Sequence, residues 1–303
     1  MLSLIAILLI MAAGAYLRRY QEARVMPWAG VLQQSTLFFL TLYTICLFSH
    51  PLASSDLWLL LTIGFSLQAV PSLLGFSLLK QKKSIGRDFI EFSTYGGGNR
   101  GVLLLSLLEP QWLPIFIGID LGNFISLLLL FPILARRGEQ GETSPARQTL
   151  MKSWRQAAIT MGCVGLGLFL ETVNVPVPAP LETILKVLLT TSIALHLGLH
   201  FSPRLVAPGR LLRRLLGVRA VGVGITVFAY TVGAFFLGGS STPAIWATCL
   251  IFLILPTSSI APMFLSPGAW RDQVMANVIA TSTVFIALLL GLSGLKIIAS
   301  VFF

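Results

Sequence analysis

The sequence predicts an all-α integral membrane protein. It has ten transmembrane helices in two inverted five-helix repeats, with the fourth and ninth helices broken and crossed. Three observations carry this reading. The 303-residue chain is 55% hydrophobic and only 11% charged, with a mean hydropathy of +0.87. Soluble domains carry about 25% charged residues, so lipid is the solvent for most of this chain. The basic residues fall in alternate loops between apolar stretches, and the fourth and ninth stretches are interrupted at matching positions.

A hydrocarbon core of about 30 Å needs about 20 apolar residues per helix. The first repeat offers five such stretches: Leu2 to Leu17, Trp28 to Phe48, Leu57 to Leu79, Phe89 to Leu108 and Trp112 to Leu134. The second offers Trp154 to Leu170, Leu181 to Leu199, Val218 to Leu237, Ala244 to Leu265 and Val274 to Leu292. The first stretch has no basic residue before it and is followed by Arg18 and Arg19. That pattern fits a retained helix and not a cleaved signal peptide.

The net charge is +10, but its placement argues against nucleic acid as a partner. The odd-numbered loops hold Arg18, Arg19 and Arg24; Lys80, Lys82, Lys83 and Arg87; Arg136, Arg137, Arg147, Lys152 and Arg155; Arg204, Arg210, Arg213, Arg214 and Arg219; and Arg271. The positive-inside rule puts these loops in the cytoplasm and both termini outside a cell membrane. The polar stretch 136–153 separates a first repeat, 1–135, from a second, 154–303. Five helices is an odd number, so the second repeat enters the membrane in the opposite sense, the arithmetic of an inverted repeat.

The fourth stretch contains Tyr95-Gly96-Gly97-Gly98-Asn99-Arg100-Gly101, and the ninth Leu255-Pro256-Thr257-Ser258-Ser259-Ile260-Ala261-Pro262. Each glycine costs a helix interior about 1 kcal/mol relative to alanine, and each proline removes a backbone donor. Unwound backbone at membrane depth is tolerated only where protein or water satisfies it. Paired breaks in opposed repeats therefore point to a binding site for Gly98, Asn99, Arg100, Pro256, Thr257, Ser258, Ser259 and Pro262. The hydroxyls of Thr257 to Ser259 serve either a ligand or the freed backbone.

Arg100 near a helix centre costs at least about 2.5 kcal/mol on insertion scales and needs a partner. It is a clamp for a carboxylate, a stand-in for a bound sodium ion, or one half of an ion pair with Glu91 or Asp120. Glu91 is either solvated at the cytoplasmic interface or a proton carrier. Asp120 and Asn123, three apart and on one helix face, are a coupling pair or a helix-helix hydrogen bond. Gln68 and Asn277 read as interhelical amides. His196 and His200 share a helix face, but no carboxylate or cysteine accompanies them, so packing or interface placement outweighs a pH-responsive role and metal binding. Cys46, Cys163 and Cys249 lie far apart in apolar stretches and read as packing residues. No catalytic motif occurs, whether His-Glu-x-x-His, Gly-x-Ser-x-Gly or a phosphate-binding loop. No cofactor or metal is expected.

Several segments resemble the auxin efflux carrier family and its bacterial permeases. Gly14-Ala15-Tyr16-Leu17-Arg18-Arg19 resembles the end of that family's first helix. Gly98-Asn99 resembles its first crossover, and Leu255-Pro256 with Ile260-Ala261-Pro262 its second. Leu195-His196-Leu197-Gly198-Leu199 resembles its seventh-helix segment. The resemblance implies a scaffold and a transport bundle, elevator-like movement of small organic anions, and a homodimer through the scaffold helices. The wider superfamily includes bile acid:sodium symporters, with sodium sites near the crossover. Three departures stand out. Gly101-Val102-Leu103-Leu104 replaces the family's Gly-x-Pro, Tyr43-Thr44-Ile45-Cys46 lacks its second-helix proline, and Arg100 adds a charge. The expectation is a proton- or potential-driven transporter of a small carboxylate. The alternatives are sodium-coupled symport and a non-transporting sensor or assembly protein on the same fold.

Overall fold

The structure, a computed structural model, describes residues 2–49, 54–81, 85–95, 101–102, 104–105, 110–138, 147–175, 177–200, 209–236, 242–258, 261–265 and 269–302. The longer elements among them are helices: α1 (Leu2–Phe48), α2 (Ser54–Lys80), α3 (Ile85–Phe92), α4 (Leu113–Gly138), α5 (Arg147–Thr172), α6 (Ala179–His200), α7 (Gly209–Phe236), α8 (Pro243–Ile254) and α9 (Ala269–Phe302). Short 3₁₀ turns lie at Pro110–Trp112 and Ala261–Phe264. Four described segments are long and apolar enough to cross a bilayer: Leu57–Lys80, Leu113–Leu134, Leu211–Phe236 and Trp270–Leu292. The protein is all-α and membrane-embedded.

Three boundaries differ from the predicted ones. The first two predicted helices run together as α1, whose 47 residues extend about 70 Å at 1.5 Å per residue. The joining sequence Gln21-Glu22-Ala23-Arg24 is made of good helix formers, so a basic, helical segment separates two apolar halves. That length is more than twice the hydrocarbon thickness of about 30 Å, so α1 is not a single span. The polar stretch 136–153 is helical at both ends, since α4 runs on to Gly138 and α5 begins at Arg147. The predicted fourth helix leaves helical geometry at Ser93, before the glycines, and is helical again at 101–102 and 104–105.

Small residues let the helices meet backbone to backbone, the usual mode of packing where lipid removes the hydrophobic drive. A Cβ on Gly64 of α2 would lie 1.7 Å from the Ile119 carbonyl oxygen of α4, and one on Gly122 2.1 Å from that of Leu61. Gly14 of α1 and Gly198 of α6 meet the same way, with the Met11 carbonyl 2.2 Å from a Cβ at Gly198. One large apolar cluster joins α1, α2, α4, α6, α8 and α9, and a second packs Ile90, Leu128, Phe131, Val274 and Val278 between α3, α4 and α9.

Gly122→Ala therefore overpacks the α2–α4 contact and is expected to cost about 1–3 kcal/mol. Gly162→Ala, with nothing within 4 Å of its Cβ, should be neutral or slightly stabilising. Thermal unfolding of the two purified variants in detergent checks this; equal midpoints would contradict the packing.

Candidate functional site

The two interrupted segments meet. Pro256 pushes Leu255 out of the helical region, and Leu255 is extended at φ −63°, ψ 143°. α8 therefore stops at Ile254. α3 stops at Phe92, where Ser93 and Thr94 turn their hydroxyls back onto the carbonyls of Ile90 (3.0 Å) and Glu91 (2.7 Å). Such local bonds compete with helix propagation. The chain then runs extended, and Tyr95 pairs with Thr257 in an isolated antiparallel bridge. The Ser258 amide donates to the Thr94 carbonyl at 3.1 Å.

α7 and α9 supply partners to backbone freed by the breaks, and α2 and α4 contact the side chains beside it. The Thr257 amide donates to Thr281 Oγ1 of α9 at 3.0 Å, and that hydroxyl donates to the Asn277 carbonyl at 2.7 Å. Arg219 of α7 donates from Nε to the Phe92 carbonyl at 3.1 Å and from one terminal nitrogen to that of Thr94 at 3.5 Å. Its guanidinium stacks on the Tyr95 ring, 4.8 Å from the centroid. Ser72 of α2 and Ser93 share a hydrogen bond of 2.7 Å. Tyr95 packs edge-on against Phe252, which stacks on Phe116 of α4. Gly101 lies so close under Phe116 that a Cβ there would stand 1.9 Å from its ring.

Of the predicted site residues, Pro256, Thr257 and Ser258 lie at the crossing and are buried, and Pro262 lies in the 3₁₀ turn just beyond it. Gly98, Asn99, Arg100 and Ser259 lie outside the described residues. Glu91 is not at a solvated interface. It is 1% exposed, and the Asn277 side-chain amide donates to its Oε1. Glu91 is thereby linked through Asn277 and Thr281 to the Thr257 amide. Asp120 and Asn123 do hydrogen-bond each other, at 3.2 Å. Asp120 lines a pocket of about 20 Å³ together with Thr41, Thr44 and Thr160, room for about one water molecule. His196 is buried in α6, and Gln68 is buried with its amide unpartnered among the described residues.

The residue that sequence reading missed is Arg219. Its neighbours Arg213 and Arg214 made it look like one more cytoplasmic loop charge, but α7 starts at Gly209 and carries it into the core at 0% exposure. The signal was the apolar turn Leu215-Leu216-Gly217-Val218, which separates Arg219 from the two exposed arginines before it. Arg214 instead pairs with Asp88 of α3, donating from Nε at 2.9 Å. A groove of about 440 Å³ lies between α2 and α7, lined among others by Ile63, Ser66, Val70, Thr226 and Tyr230.

No protein-family model matches the chain, and no curated protein matches it either.

Truncating Asn277 leaves the buried Glu91 carboxyl without its amide donor. Asn277→Leu is expected to cost about 1.5–3 kcal/mol, and most of that cost should vanish in a Glu91→Leu background. A double-mutant cycle on unfolding midpoints measures it; full additivity would dissolve the pairing.

Proposed function

We propose that the chain is a secondary transporter that moves a small organic anion across the cell membrane by elevator-type alternating access. One observation carries this reading: the two interrupted helices meet in an antiparallel crossing. Broken helices meeting inside a membrane protein are the usual architecture of a midplane transport site. A chain needing only a stable bundle gains nothing from unwinding two helices there and satisfying their backbone with side chains from two more.

In this reading α1 supplies the first two of ten spans. α3 with the residues after it is the fourth, and α8 with its 3₁₀ turn the ninth. The two halves are inverted repeats, and both termini lie outside. Substrate binds beside Asn99 and Arg100 on one broken segment and Thr257 to Ser259 on the other. The preference for an anion follows from charge. Arg219 is buried at the crossing with no carboxylate partner among the described residues, and Arg100 lies in the adjacent break. The groove between α2 and α7 offers room for the apolar body of a carboxylate. Glu91, wired to the crossing through Asn277 and Thr281, is the proton carrier where coupling is to protons. The family suggested by the sequence, auxin-efflux-like permeases, fits this arrangement, and a homodimer is its expected assembly.

The test is current on a solid-supported membrane of proteoliposomes challenged with mono- and dicarboxylates. Wild type should give substrate currents that Asn99→Ala and Thr257→Val reduce at least about tenfold, equivalent to about 1.4 kcal/mol in the occupied site. Absence of both current and isotope uptake from verified proteoliposomes overturns the reading in favour of a non-transporting membrane sensor. Glu91→Gln should keep substrate binding but lose the response of uptake to an imposed pH gradient. An unchanged response removes Glu91 from coupling.

A further inference from the structure

We infer that Arg219 is a built-in cation. Its guanidinium occupies the place at the C-terminal end of the first broken half-helix where a free metal cation would otherwise bind. The crossing therefore assembles without one. The inference deepens the transport reading by fixing which ion that site does not use.

α3 terminates at Phe92, and a helix C-terminus carries partial negative charge on carbonyls that lack intrahelical partners. Carbonyls at the ends of broken half-helices are the groups that coordinate cations in transporters. Here two of them, on Phe92 and Thr94, are taken by Arg219. The Thr94 carbonyl also receives the Ser258 amide, the hydrogen bond that joins the two broken segments. The guanidinium thus sits against the atom on which the crossing is fastened.

Among the described residues the charge has no carboxylate counter-ion. The carboxylates nearest in sequence to these carbonyls are otherwise engaged, Asp88 by Arg214 and Glu91 by Asn277. Burial of a charge is tolerated only when it is paired or well hydrogen-bonded. What compensates Arg219 is the helix end together with the electron-rich face of Tyr95. A planar, always-charged fork is suited to this; it reaches two carbonyls at once and still stacks on a ring. α7 holds it in place through close backbone approach, since a Cβ on Gly222 would lie 3.1 Å from the Leu67 carbonyl and 3.0 Å from Pro71. The Tyr95 hydroxyl donates to that same Leu67 carbonyl at 3.5 Å. One guanidinium nitrogen remains without a hydrogen-bond partner among the described residues, so the site keeps a positive face after the helix end is neutralised. A bound sodium would have to displace the side chain or bind against that charge.

The experiment follows thermal unfolding of the purified full-length protein in sodium, lithium, potassium and choline chloride at equal ionic strength, then with guanidinium added at millimolar level. Wild type should melt at one temperature in all four salts. Arg219→Ala should melt lower and recover saturably with guanidinium or a metal cation, but not with choline. A sodium-dependent midpoint in wild type overturns the inference, as does a folded Arg219→Ala indifferent to every cation. Where Arg219→Ala does not fold, Arg219→Lys and Arg219→Met decide. Folding of the lysine variant alone supports a required charge, whereas a methionine variant as stable as wild type removes it. None of these readouts needs a substrate, so the inference can stand or fall separately from transport itself.

Discussion

The organising constraint is that unwound backbone inside an apolar medium has to be satisfied by protein. An unpaired amide or carbonyl in hydrocarbon costs several kcal/mol, and each break frees such groups. The carbonyls of Phe92 and Thr94, and the amides of Thr257 and Ser258, find partners on α7, on α9 or on each other. The position of α7 is therefore tied to α3, and that of α9 to α8. The local ends matter as much. Ser93 and Thr94 hydroxyls close the last turn of α3, so the chain leaves the helix before its glycines are reached.

That arrangement needs rigid neighbours, and these come from backbone contact. Gly64 and Gly122 bring α2 and α4 together at distances no side chain permits, which seats Phe116 against Gly101 and Phe252. Tyr95 then lies between an aromatic layer below and a guanidinium above. The aromatic stack holds Tyr95, and the hydrogen bonds hold its neighbour Thr94 and the facing Thr257 and Ser258.

Much of this was legible in the sequence because glycine and proline act locally. The break after Leu255 follows from Pro256 alone, and the pairing of the two breaks followed from counting helices between basic loops. The side chains Thr257 and Ser258 were placed at the site for that reason. What was not legible depends on where a helix begins. Arg219 was read as a loop charge because charge runs mark helix ends, yet α7 starts at Gly209 and the apolar turn before Arg219 carries it inward. Glu91 was given to the interface on its distance from the glycines; its burial depends on Asn277, 186 positions away in the chain. Asp120 and Asn123 do hydrogen-bond each other, as their spacing allows, but spacing does not say which neighbours Asp120 meets, and here they are α1 and α5. The continuity of α1 escaped for a different reason. Arginines between apolar stretches signal a membrane boundary, and a boundary need not be a turn.

The electrostatics of the crossing then have a direction. A helix C-terminus is partly negative and on its own would favour a cation. Arg219 contributes a full charge to that end, more than the half charge it meets, and it does so where water is excluded and electrostatic interactions are strengthened. The remainder is positive, and it lies beside the Thr94 carbonyl to which the Ser258 amide is bonded. Glu91 is the penultimate residue of α3, with its carboxyl held by an amide and not by a guanidinium, so it does not cancel that charge by direct pairing. The crossing therefore holds a buried positive charge against the paired backbone of Thr94, Tyr95, Thr257 and Ser258.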